Sequence, residues 1–128
     1  MKFLLDTQVV LWLPILDRRL SPRARSILKN PENDFVFSAA SIWEIAIKSG
    51  LGKPNFRVSA RAIRREMIEH GYEELPVYGQ HGMAVDTLPP IHKDPFDRIL
   101  IAQSLVEGIT LLTADATIAQ YPGPIRRV

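Results

Sequence analysis

The chain has 128 residues, 46% of them apolar, which suits one domain with a single packed core and excludes a second. Cysteine is absent, which rules out disulfides, thiolate zinc sites and thiol redox chemistry, so a reducing, cytoplasmic setting is the expectation. Sixteen Lys and Arg against 14 Asp and Glu leave a net charge of +2, far too little to define a polybasic tail.

In chain order, residues 2–5 read as a short buried strand. Thr7 to Leu16 reads as a helix with Val9, Val10, Leu13 and Leu16 on its apolar side, although Pro14 falls inside it. This N-terminal stretch does not read as a signal peptide, because Asp6 breaks its apolar run and no small-residue cleavage site follows. Ser21-Pro22 supplies an N-cap and a first-turn proline for a second helix running to about Asn30, where Asn30-Pro31 stops it. Asp34 to Phe37 is the second strand. A helix from Ala39 or Ser41 to Ser49 follows, with Ile42, Ile45 and Ile47 as its apolar stripe and Gly50 and Gly52 at its end.

Residues 58–70 predict an arginine-bearing amphipathic helix, Glu73 to Val77 a third strand, and residues 79–86 one short helix. Pro89-Pro90 forces an extended connection, and Asp94-Pro95 opens a helix to Glu107, capped by Gly108. Ile109 to Thr113 is the clearest strand, followed by a helical turn after Asp115 and a terminal strand near Ile125 to Val128. No stretch is apolar for long enough to span a membrane. Strands alternating with helices predict an α/β fold: a three-layer α/β/α sandwich around a central, mainly parallel sheet. Ligands are then expected at the carboxyl ends of its strands.

Four acids fall where such a chain would bring them together. Asp6 ends the first strand, Glu44 lies in SIWEIAIK, Asp97 in DPFDR, and Asp115 ends TLLTAD. Each has a structural explanation of its own. Asp6 could cap the first helix, and Glu44 could complete a capping box with Ser41 or pair with Lys48 one turn on. Asp94 suits an N-cap with Asp97 at the third helical position, and Asp115 could open a turn, with Thr113 nearby to orient it. Four independent caps have no reason to share one edge of a sheet, whereas a site for a hard cation requires it. Clustered carboxylates repel one another unless protonated or bridged, and Mg²⁺ and Mn²⁺ favour oxygen ligands. A metal-dependent phosphodiesterase follows as the leading expectation: the ion orients a phosphate, stabilises developing charge and activates a water for attack.

Setting these four acids aside leaves ten acids against 16 basic residues, so the remaining surface is basic. Arginines lead, at Arg18/Arg19, Arg23/Arg25, Arg61/Arg64/Arg65 and Arg126/Arg127, and their donor forks suit phosphate oxygens, though solvated helix faces are the commoner explanation of such clusters. His70, His81 and His92 are widely spaced and none belongs to a ligand-pair motif such as HExxH, which suggests surface roles or support of other side chains. Trp12, Trp43, Phe96 and Tyr72 read as core residues. Neither a phosphate-binding glycine loop nor a nucleophile elbow is present.

The segments FLLDTQVVLW, LSPRARSIL, FSAASIWEIAIKSGLGK, LPPIHKDPFDRILIAQS and TLLTAD follow one another in this order and are spread nearly from end to end of the chain. Together they resemble the PIN-domain ribonucleases, in particular the VapC-type toxins of bacterial and archaeal toxin-antitoxin pairs. The resemblance implies a PIN-like fold over residues 1–128 and a Mg²⁺ (or Mn²⁺)-dependent endoribonuclease. It also implies an acidic metal and catalytic site on Asp6, Glu44, Asp97 and Asp115. Asp94, Thr7, Ser41, Thr113 and His92 would be supporting residues, and a homodimer and a cognate antitoxin covering the acidic groove are the implied partners. Pro14, within WLPILDRRLSP, departs from the pattern near the expected antitoxin contact. Other functions fit less well. A haloacid-dehalogenase phosphatase needs an acid where Gln8 stands, and a receiver domain needs an Asp-Lys pair that is missing. A catalytically silent RNA-binding or protein-interaction module would leave the four acids as caps alone.

Overall fold

The computed structural model describes residues 1–52 and 58–128; Lys53, the end of FSAASIWEIAIKSGLGK, lies outside them. Five parallel strands, β1 (Lys2–Leu5), β2 (Asp34–Ser38), β3 (Glu73–Leu75), β4 (Thr110–Thr113) and β5 (Ile125–Arg127), form one sheet in the order β3-β2-β1-β4-β5. Parallel strands need crossovers, and helices supply them: α1 (Thr7–Trp12), α2 (Pro22–Lys29), α3 (Ala39–Gly50), α4 (Ala60–Glu69), α5 (Gly79–Ala84) and α6 (Pro95–Glu107). Short 3₁₀ turns at Val85–Thr87 and Ile118–Gln120 complete the chain.

Strand alternation sorts the core into two layers. Phe3, Leu5, Phe35, Phe37 and Leu112 pack on one face with Val9, Val10 and Ile45. Leu4, Val36 and Leu111 pack on the other with Leu100, Ile101, Ile118 and Tyr121. This is the expected α/β/α sandwich with a parallel sheet. The chain runs outward from β1 through β2 to β3, then returns to add β4 and β5 on the opposite side. The sheet's switch point therefore lies between β1 and β4, registered by Leu5 opposite Leu112 and by Asp6 N–H donating to Leu112 O at 3.0 Å.

Several local expectations shift. The first helix ends at Trp12 rather than Leu16, because Pro14 has no N–H to continue the ladder; Leu16 turns to φ 48° and is exposed. Arg25 braces the following loop by donating to the carbonyls of Leu16, Asp17 and Leu20, a structural use that neither a solvated helix face nor a phosphate contact describes. The third strand stops at Leu75, ahead of Pro76, and residues 79–87 split into α5 and a 3₁₀ turn. Ser38, not Ser41, caps α3, so the capping box for Glu44 does not form. Trp43 is 63% exposed and stacks edge-on against Phe96 rather than entering the core, and Ile47 is exposed as well. His81, expected at the surface or in a supporting role, is fully buried: its Nδ1 accepts from Tyr78 N–H at 2.9 Å, which leaves Nε2 to donate to Glu107 at 2.9 Å and tie α5 to α6. No helix among the described residues is long and apolar enough to cross a membrane.

Candidate metal site at the sheet switch point

A cleft of about 520 Å³ opens outside the carboxyl ends of β1 and β4. Asp6, Glu44, Asp97 and Asp115 all line it, together with Asp94 and Thr7. The elements that deliver them are separate in sequence: the end of β1, the middle of α3, the first turn of α6 and the loop after β4. The other three supporting residues stand behind the wall. Ser41 Oγ lies 2.8 Å from Thr7 Oγ1, Thr113 reaches Asp6, and His92 reaches Asp97.

Asp6 is 2% exposed and does not cap α1 through its side chain. Its Oδ2 accepts a hydrogen bond from Thr113 Oγ1 at 2.7 Å, and Thr113 Oγ1 in turn accepts from Asp115 N–H at 3.0 Å. Burial pushes its carboxyl up from 3.8 to about 7; the Thr113 hydrogen bond opposes this, and the negative Asp97 and Asp115 add to it. The capping explanation thus fails for the residue at the centre of the sheet.

Glu44 is 4% exposed, and its two oxygens differ. Oε2 pairs with Lys48 Nζ, the ion pair expected from their spacing, while Oε1 is buried without a hydrogen-bond partner among the described residues. Burial works to lower the Lys48 pKa, yet the Glu44 hydrogen bond and the negative field of Glu44, Asp94 and Asp97 hold it above the usual lysine value.

Asp97 is held from behind by a chain of hydrogen bonds. The Tyr121 hydroxyl oxygen accepts from His92 N–H at 3.2 Å and from Arg98 Nη1 at 3.0 Å, and its own proton faces His92 Nδ1 at 2.7 Å and the His92 carbonyl at 3.3 Å, of which Nδ1 is the shorter contact. His92 Nε2 then carries the ring proton and donates to Asp97 Oδ2 at 2.9 Å. Burial raises the Asp97 pKa, the His92 bond opposes the rise, and Asp94 and Glu44 add to it. The capping explanation does hold for two residues. Asp94 Oδ1 accepts from Phe96 N–H and Asp97 N–H, at 2.9 and 3.1 Å, and Asp115 Oδ1 from Thr117 N–H and Ile118 N–H, at 2.7 and 3.1 Å.

The donor set suits a hard divalent ion: four carboxylates from four elements, one with an orphaned buried oxygen and one with a strongly raised pKa. It is not a finished cage. Among the described residues no three Asp, Glu or His side chains already converge on one point, contrary to the expected tight cluster, and a lysine stands among the acids instead. Lys48 was legible only as a pairing partner of Glu44. Gln8, Trp12 and Arg19 also line the cleft, and Arg19, held by Asp17 at 2.8 Å, lies 5.0 Å from the Trp12 ring centre. Nothing in the spacing pointed to them as lining a cleft: Gln8 and Trp12 sit on α1, and Arg19 follows the turn at Pro14. Tyr121 and Arg98 were missed behind Asp97, although Arg98 follows it directly in DPFDR.

Fold and cleft define the class: a parallel α/β domain with a carboxylate-walled groove at its switch point. The PIN domain family profile matches residues 3–124, and the chain belongs to that family. No curated protein sequence matches it. Solved structures with the same fold include VapBC2 from Rickettsia felis bound to a DNA fragment from its promoter, with a TM-score of 0.70, 12% identity and coverage of 99% of this chain and 98% of that one. VapBC from Salmonella typhimurium, bound to DNA, has a TM-score of 0.63 at 16% identity over 99% of this chain and 98% of that one. VapBC-1 from nontypeable Haemophilus influenzae has a TM-score of 0.61 at 21% identity over 94% and 91%.

Proposed function

We propose that the protein is a divalent-metal-dependent endoribonuclease of the VapC type, the toxin of a toxin-antitoxin pair. One observation carries this reading: two of the four cleft carboxylates, Asp6 and Glu44, are almost fully buried and cap no helix, so the fold keeps them at a cost that a bound cation would relieve. Membership of the PIN-domain family supports a nuclease, and the fold shared with the VapBC complexes supports an antitoxin as partner.

Asp6, Glu44, Asp97 and Asp115 would hold Mg²⁺ or Mn²⁺, with Asp94 completing the acidic wall. The bound ion supplies charge stabilisation at a phosphodiester and a more acidic water at neutral pH. The chain's own residues do the rest. Thr113 fixes the direction of the Asp6 carboxylate, Thr7 and Ser41 brace the floor, and His92, held by Tyr121 and Arg98, fixes Asp97. Basic side chains around the cleft would meet the RNA backbone, with homodimerisation and a cytoplasmic setting completing the picture.

Cleavage of a panel of tRNA, ribosomal-RNA stem-loops and single-stranded RNA by antitoxin-free protein tests the reading. Activity with Mg²⁺ or Mn²⁺ is expected to vanish in EDTA and in Asp6→Ala and Asp97→Asn. Products that persist in both variants would point to a contaminant. Identical, inactive behaviour of wild type and variants would leave a catalytically silent RNA-binding or interaction module.

A further inference from the structure

We propose that Lys48 is a built-in counter-ion of the cleft. It occupies Glu44 while the metal is away, yields that carboxylate to the incoming divalent ion, and then binds a backbone phosphate of the nucleic acid. The inference rests on the reading of the cleft as a metal site.

Lys48 lies one helical turn beyond Glu44, which brings its Nζ onto Oε2, and its side chain is 47% exposed. A purely structural buried ion pair would satisfy both carboxylate oxygens, because an unpaired buried oxygen is costly. Here the pairing is half-finished. Among the described residues Glu44 Oε1 has no hydrogen-bond partner, so the geometry leaves coordination capacity that the ammonium does not use. The lysine also lies in the negative field of Asp94 and Asp97, and it lines the cleft with all four candidate ligands.

Among the described residues, the second basic side chain of the cleft, Arg19, is already engaged by Asp17, which leaves Lys48 as the cation whose partner is itself a candidate ligand. An ammonium brings one positive charge to an oxygen of Glu44, so a doubly charged ion has the stronger claim on it. The flexible four-carbon stem lets the displaced ammonium move to the open side of the cleft. A phosphodiester brings the negative charge that replaces Glu44 there.

The test measures two affinities with opposite expected signs. Mn²⁺ binding, followed by the EPR signal of the free ion, is compared in wild type, Lys48→Met, Lys48→Gln and Arg19→Met. Binding of a short 2′-O-methyl RNA, which resists cleavage, is followed by fluorescence anisotropy at saturating Mn²⁺. Both Lys48 variants are expected to bind Mn²⁺ about tenfold more tightly and the RNA about fivefold more weakly. Arg19→Met is expected to change Mn²⁺ affinity less than about threefold, since its charge is already compensated. Unchanged or weaker Mn²⁺ binding in the Lys48 variants overturns the proposal, as does undiminished RNA binding. An equal gain in Arg19→Met overturns it as well, reducing the effect to the general field of any nearby cation. Absence of Mn²⁺ binding in every form, wild type included, overturns the metal reading itself. The two failures are therefore distinguishable.

Discussion

Asp6 illustrates how one residue can be expensive and retained. It follows a buried strand, is itself almost fully buried, and has one side-chain donor, Thr113, to stabilise its charge. With a folded pKa of about 7 against an ordinary 3.8, the folded state binds the proton more tightly than the unfolded chain does. The linked stability is thus fully present below about pH 3.8 and is lost as pH rises through about 7. In EDTA, wild-type unfolding free energy from urea titrations is expected to fall between pH 4 and pH 8 by an amount on the order of a few kcal/mol. Asp6→Asn should flatten that dependence and be the more stable form at pH 8, since the amide keeps the shape and can still accept from Thr113. A wild-type profile that stays flat would remove the argument that burial penalises this carboxylate.

Local chemistry at the elements decides which acids are free for other work. Asp94 shows the opposite balance to Asp6: Pro95 at the first helical position and two donated N–H bonds make it a helix cap before anything else. Asp94→Ala is expected to cost about 0.5–2 kcal/mol, read as a lower thermal midpoint, whereas Asp94→Ser should recover most of it. Such recovery without recovery of RNA cleavage would assign Asp94 a part in the acidic wall as well. The α6 start is legible because cap, proline and periodicity agree within a few residues. The end of α1 is less so, because Val9, Val10 and Leu13 keep the helical spacing through a segment where Pro14 removes a backbone donor. Trp43 was misread for a related reason: spacing shows which side of α3 a residue occupies, but not that this side faces Phe96 and solvent instead of the sheet.

For the whole molecule, the order β3-β2-β1-β4-β5 is what creates a site at all. The two halves of the sheet meet between β1 and β4, and the cleft's carboxylates come from both sides of that junction as well as from α3 and α6. An ion bound by all four would be lost on unfolding, so it must stabilise the native state by mass action. At a Mg²⁺ concentration of roughly 100 times the Kd the gain is about 2.7 kcal/mol, visible as a rise in Tm that EDTA reverses. Asp6→Asn and Asp97→Asn are expected to reduce that rise. An equal rise in both variants would show that the ion acts elsewhere on the protein.

The sequence by itself determined the layers and the chemistry available to them. Alternating and helical spacings, Ser21-Pro22, Asp94-Pro95 and Gly108 mark the elements through short-range physics, because caps and backbone limits act within a few residues. It also showed that four acids fall where a parallel sheet would converge them. Only the tertiary structure decided what each acid does. Burial, the partner of each oxygen and the sum of neighbouring charges depend on residues up to 107 positions apart, as with Thr113 and Asp6. Spacing could not reveal that Lys48 stands inside the acidic cleft, or that Tyr121 and Arg98 hold His92 against Asp97. Such contacts exist only once the strands have taken their order in the sheet, because the electrostatics of a buried site is set by the whole fold around it.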